Sequence, residues 1–74
     1  MNETIELFKT LLGKQSYFNA AEGNYGQEGK ARNANKVLLK EVALELFNNG
    51  IDLNYIVKNG SYLINEYDYM PKGV

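Results

Sequence analysis

The chain contains no cysteine and no histidine, and each absence removes a class of chemistry. Without cysteine there can be no disulfide and no thiolate metal site. Without histidine the chain lacks the commonest general base and the commonest metal ligand, so ordinary hydrolase triads cannot be built. The spacing of the carboxylates selects no catalytic pair either. We therefore predict that the protein is not an enzyme and that it carries no cofactor and no metal site.

Long hydrophobic runs are absent as well. No apolar run approaches the roughly 18–20 residues that a membrane-spanning helix requires, and the N-terminal segment is acidic rather than basic. We expect a soluble, cytoplasmic protein without membrane contact. At 74 residues the chain has room for one small hydrophobic core, so we predict a single small domain over residues 1–74.

The longest periodic segment is predicted to form a central helix over residues 30–49. Its apolar residues recur at spacings of three and four, which is the period of one helical face. Gly50 follows at the position where a left-handed C-terminal cap is usual. The predicted core-facing seam consists of Ala31, Ala34, Leu38, Val42 and Leu46, with Leu39 beside it.

The N-terminal third is predicted to contain one helix and one long connection. Residues 2–13 carry an apolar stripe typical of a helix, and Gly13 can close it. Residues 14–29 show no sustained period and are predicted as an irregular, glycine-rich connection. This connection does not match a nucleotide-binding phosphate loop, because Ala31 stands where that motif requires serine or threonine.

The C-terminal third contains the dipeptide Asn59-Gly60 between two runs of β-branched and aromatic residues. This pattern is typical of a type I′ turn, which needs positive φ at both central positions. We predict an antiparallel β-hairpin over 53–66 with a tail over 67–74, and thus an α+β fold with two or three helices. In the competing interpretation, Asp52 caps a short helix that ends at Asn59, and the fold is an all-α small bundle.

Charge is unevenly distributed along the chain. Residues 1–40 carry six basic and four acidic side chains, and residues 41–74 carry two basic and five acidic ones. Within the central helix the basic groups crowd the N-terminal half, which is the reverse of what the helix macrodipole favours. They form either a solvated face, tolerated at small cost, or a binding site for phosphate or for the carboxylates of another protein. The candidate anion- or partner-binding residues are Lys30, Arg32, Lys36 and Lys40.

Several tyrosines are candidates for contact with a partner. Tyrosine combines a large contact area with little rotamer entropy and a polar tip, which suits it to interfaces. The candidates are Tyr17, Tyr25, Tyr67 and Tyr69, of which the last two could instead close the bottom of a small core.

Together these features predict a small non-enzymatic protein-binding module. Chains of this size and composition are common among accessory viral proteins of phages and mobile elements, whose anti-defence members inhibit a larger host enzyme, such as a defence nuclease, by stoichiometric binding. The alternative is a nucleic-acid or nucleotide-binding protein that uses the basic half of the central helix. An open hairpin edge would also permit a homodimer.

Overall fold

A computed structural model describes residues 2–21 and 27–71, which fold into four helices. Helix α1 spans Asn2–Ala20, α2 spans Gln27–Asn48, α3 spans Leu53–Asn59 and α4 spans Glu66–Tyr69. Helices α1 and α2 run antiparallel, while α3 and α4 pack on α2. No β-strand occurs in either described range, so the predicted α+β fold is wrong, and the all-α alternative fits the structure.

The segment predicted as a hairpin over 53–66 contains helix α3 instead. The Asp52 side chain accepts a hydrogen bond from the Tyr55 N–H at 3.2 Å and so caps the helix. Gly60 has a φ of −104°, whereas a type I′ turn would need a positive value. The apolar residues Leu53, Ile56 and Val57 fit helical spacing and pack on the core. The Asp52 cap and the burial of one apolar face therefore favour a helix here, although Asn59-Gly60 is a sequence typical of a β-turn.

Helix α1 continues beyond its predicted end at Gly13 and reaches Ala20. Gly13 is exposed within the helix and has no positive φ, so it does not act as a cap. The additional turns are held by Gln15, which is fully buried, and by Asn19, which donates to the Leu63 carbonyl at 2.9 Å. The predicted irregular connection over 14–29 is correspondingly shorter, and residues 22–26 of it lie outside the described residues.

Replacing Gly13 with alanine should raise the free energy of unfolding by about 0.5–1 kcal/mol, because glycine loses more backbone entropy in a helix. A Cβ atom at this position would meet nothing within 4 Å. Urea denaturation measures the change. Gly60→Ala is the matched control, since its Cβ would collide with the Tyr62 ring and should lower stability. A loss of stability in both variants would contradict the described course of α1.

The core is formed by residues from all four helices. Phe8 of α1 and Tyr69 of α4 meet edge to face, with ring centroids 6.3 Å apart. Such aromatic contacts add to the free energy gained by burial alone. The buried apolar residues are Phe8, Leu11, Leu12, Leu39, Ala43, Leu46, Leu53 and Tyr69.

The core-facing side of α2 differs from the predicted seam by a rotation of roughly 75° about the helix axis. Leu38 is 51% exposed, and Ala31 and Ala34 are exposed too. The inner face instead includes Asn35, a buried polar residue that donates to Gln15 at 3.1 Å. Half of the predicted seam does face the core, since Leu39 and Leu46 are buried and Val42 packs against the buried residues. The prediction is wrong at Ala31, Ala34 and Leu38, because an apolar periodicity count cannot detect a polar residue in the core.

The predicted end of the central helix is confirmed. Gly50 adopts a positive φ of 78°. The Ile51 N–H donates to the Leu46 carbonyl and the Gly50 N–H donates to the Phe47 carbonyl, both at 3.0 Å. These two bonds define a Schellman cap. The helix itself spans Gln27–Asn48, where the sequence predicts 30–49.

Candidate partner-binding surface

A cluster of polar side chains joins α1, α2 and α4. Its centre is Asp68, which is 3% exposed and accepts from Lys36 Nζ at 3.3 Å and from Asn19 Nδ2 at 3.1 Å. Asp68 also accepts from the Asn65 N–H at 3.1 Å and so completes the capping box of α4. We name this set the polar cluster; its members are Gln15, Asn19, Arg32, Asn35, Lys36 and Asp68.

The polar cluster is internally satisfied. Asn19 Oδ1 accepts from Arg32 Nε and from Gln15 Nε2, each at 3.2 Å. Asn35 Nδ2 donates to the Leu11 carbonyl at 3.1 Å. No buried side-chain nitrogen or oxygen among the described residues lacks a hydrogen-bond partner. A fully satisfied buried network fixes how helices pack.

The four predicted anion-binding residues differ in whether they bind to other side chains of the chain. Lys36 pairs with Asp68, and Arg32 bonds to Asn19, so both side chains serve the packing of the helices. Lys30 and Lys40 form no ion pair with any residue of the described ranges. That these four basic residues form a binding site stays a prediction. Two of them, Arg32 and Lys36, already bind to side chains of the same chain.

The four candidate tyrosines also fall into different environments. Tyr67 is 85% exposed and Tyr17 is 66% exposed, so both are accessible to a partner. Tyr69 is 3% exposed and lies in the core, the position that the alternative interpretation assigns to it. Tyr25 lies outside the described residues.

A groove between α3 and α4 combines acidic and aromatic residues. Exposed Asp52 and Tyr55 contribute from the start of α3, Glu66 contributes from the start of α4, and Lys58 adds one basic group. Tyr67 follows Glu66 directly in α4 and is exposed to solvent, although it does not line the groove itself. We name Asp52, Tyr55, Glu66 and Tyr67 the acidic-aromatic surface.

The electrostatics of this groove act on Tyr69, whose hydroxyl donates to the Asn54 side chain. Burial raises the pKa of Tyr69 above its ordinary value of 10.0, and the negative charges of Glu66 and Asp52 raise the pKa further. Both effects disfavour the phenolate. The two carboxylates therefore act on the Tyr69 hydroxyl in the same direction as its burial.

Sequence reasoning missed Tyr55 and Asp52 as surface residues. In a β-strand, Tyr55 would share one face with Leu53 and Val57 and cover the central helix, whereas α3 leaves it 66% exposed. The signal that could have found both is the capping pattern at Asp52, because helical spacing from Leu53 turns Tyr55 away from the core.

No family model, curated protein or solved structure matches the chain significantly. None of the four described helices is both long and apolar enough to cross a membrane. Residues 2–21 and 27–71 also contain no group of three or more acidic side chains placed to hold a metal ion.

Proposed function

We propose that this chain is a small non-enzymatic protein-binding module that acts by stoichiometric binding to a larger protein. The observation that carries the proposal is the acidic-aromatic surface, where Tyr55 and Tyr67 are strongly exposed beside the carboxylates of Asp52 and Glu66. Exposed tyrosines are enriched among the residues that dominate binding energy at interfaces. Their exposure in an unbound chain supports a role in recognition.

The acidic-aromatic surface is also held in a fixed geometry. Asp52 caps α3, Asn65 caps α4, and Leu53 and Tyr69 anchor the two helices in the core. A surface that is already ordered loses less conformational entropy on binding. This rigidity favours binding of a preformed complementary surface.

The charge of the acidic-aromatic surface favours a basic partner. Carboxylates attract a basic surface at long range and fix its orientation at contact. The substrate cleft of a nuclease is a surface of this kind. We propose that the partner is a larger host enzyme, such as a defence nuclease, which an accessory protein of a phage or mobile element inhibits.

Nucleic-acid or nucleotide binding has weaker support. Affinity for nucleic acid depends on the number of phosphates that basic side chains neutralise. Arg32 and Lys36 are engaged within the polar cluster, the formal net charge is −1, and only Lys30 and Lys40 of the predicted set are unpaired among the described residues. We expect no binding of duplex DNA, single-stranded DNA or RNA at low salt.

The proposal is tested by affinity capture from the native host with the combined variant Glu66→Gln, Tyr67→Ala. Wild type should retain one larger protein at a one-to-one ratio, and the variant should retain at least about tenfold less, because it loses an exposed aromatic anchor and a charge. If the captured protein is a nuclease, wild type should inhibit it at equimolar concentration and the variant should not.

The matched control is Glu3→Gln, Leu7→Ala, which removes one exposed carboxylate charge and one large exposed side chain on α1. It should capture the partner as wild type does. Circular dichroism of all three proteins confirms that each is folded. Capture that both variants reduce equally, or that neither reduces, would contradict the assignment of the acidic-aromatic surface.

A further inference from the structure

Helix α2 carries a second regular row of residues on the side that faces away from the core. Its members are all exposed and alternate in spacing between four and three, which is the spacing of a helix-pairing seam. We name this row the outer seam: Lys30, Ala34, Val37, Glu41 and Leu44.

The outer seam and its flank expose an unusual amount of apolar side chain. Val37 is 57% exposed and Leu44 is also exposed. Leu38 lies next to the seam, with Ala31 about two turns earlier on the same flank. Single exposed apolar residues are ordinary, but a contiguous set on one helix marks an interaction surface. The small side chains of Ala31 and Ala34 would let another helix approach α2 closely.

The charges of the outer seam indicate which kind of surface is complementary to it. Lys30 lies in the first turn of α2, where the macrodipole disfavours a cation, and Glu41 lies in the C-terminal half, where it disfavours an anion. Neither forms an ion pair within the described ranges. An antiparallel copy of the same helix places anionic residues beside Lys30 and cationic residues beside Glu41, and it opposes the two macrodipoles.

One antiparallel register pairs four of the five residues of the outer seam, and Leu44 lies beyond the end of this contact. In this register the two-fold axis crosses the dimer at the height of the midpoint between Asn35 and Lys36. Ala34 of one copy then faces Val37 of the other. Lys30 of one copy faces Glu41 of the other. On the flank toward α1, Leu38 and Ala31 of the second copy are offset by about 3 Å along the helix axes. Each contact occurs twice by symmetry, as in any isologous interface.

We propose that a second copy of this chain packs antiparallel on the outer seam of α2 and forms a two-fold dimer. The contact from Lys30 to Glu41 is about 16 Å long, so the interface is small and the dimer dissociates on dilution. The acidic-aromatic surface lies on α3 and α4 and shares no residue with the outer seam, so a dimer presents it twice. The dimer does not depend on the proposed function.

Sedimentation velocity over a wide range of concentrations tests the proposal. Wild type should shift from 8.4 kDa toward twice that mass as concentration rises. Lys30→Glu alone or Glu41→Lys alone places like charges in contact at two symmetric positions, and each should weaken dimerisation at least about tenfold. Lys30→Glu also improves the helix dipole, so destabilised monomer cannot explain its loss of dimer.

Two further samples test the register itself. The double variant Lys30→Glu, Glu41→Lys restores opposite charges across the axis and should recover the dimer. An equimolar mixture of the two single variants should form a heterodimer, since every facing pair is then complementary. Lys58→Glu and Glu3→Lys are the matched controls, because they reverse exposed charges elsewhere and should dimerise as wild type does.

A chain that stays at 8.4 kDa at every concentration would overturn the proposal. A dimer that neither single reversal weakens would equally overturn it, because the contact would then lie on another face. Failure of the double variant and of the mixture to recover the dimer would refute the antiparallel register. None of these results would alter capture of a larger partner by the acidic-aromatic surface.

Discussion

Phe8→Ala is expected to lower the free energy of unfolding by about 3–5 kcal/mol, the usual cost of removing a buried aromatic ring. Phe8 is completely buried and contacts the edge of Tyr69, so truncation opens a cavity between α1 and α4. A small domain has a total stability of about 5 kcal/mol or little more, and most of it would be lost. Urea denaturation followed by circular dichroism should show the variant largely unfolded at room temperature.

Leu7→Ala is the matched control for this prediction. Leu7 adjoins Phe8 in α1 but is exposed, and its truncation should cost less than about 1 kcal/mol. A larger loss in Leu7→Ala than in Phe8→Ala would mean that α1 presents a different face to the core.

Asp68→Ala is expected to cost about 2–4 kcal/mol, because it removes the shared acceptor of the polar cluster and leaves buried donors unpaired. Lys36 and Asn19 lose a partner, and the capping box of α4 is broken. The Lys36 side chain is 30% exposed and can recover some hydration, which keeps the cost below that of a fully buried pair. Urea denaturation again measures the loss.

A double-mutant cycle isolates the ion pair from the other roles of Asp68. Asp68→Asn preserves acceptors for Asn19 and for the Asn65 N–H but removes the charge, and Lys36→Met keeps the aliphatic stem of the lysine. If the pair stabilises the fold, the double variant should be more stable than the sum of the single costs predicts, by about 1 kcal/mol. Strict additivity would mean that Lys36 and Asp68 do not interact, and Lys36 would then be available to an external anion.

The parts of the fold that could be predicted from sequence depend on local chemistry. The cap at Gly50 needs only positive φ and two backbone hydrogen bonds, and the periodicity of α2 needs only the residues of α2. The segment from Asp52 to Gly60 also contained the correct local signal. It was outweighed by Asn59-Gly60, since two local patterns of similar strength cannot be separated without knowing what the segment packs against.

The features that sequence could not predict depend on distant partners. The rotation of α2 follows from the contact of Asn35 with Gln15, twenty residues away in the chain. The engagement of Lys36 requires Asp68, which α4 brings to it. Burial of Tyr69 and exposure of Tyr67 follow from which side of α4 meets the core. Charge and residue type identified the candidates, but only packing distinguishes the engaged side chains from the accessible ones.

We propose that the acidic-aromatic surface, rather than the basic residues of α2, binds a larger protein. Isothermal titration calorimetry of the captured partner tests it most directly, with wild type, the Glu66→Gln, Tyr67→Ala variant and a Lys30→Gln, Lys40→Gln variant. We expect one chain bound per partner site and an affinity that falls with added salt. The first variant should lose binding, and the second should bind as wild type does. Unchanged binding in the first variant together with loss in the second would contradict the proposal.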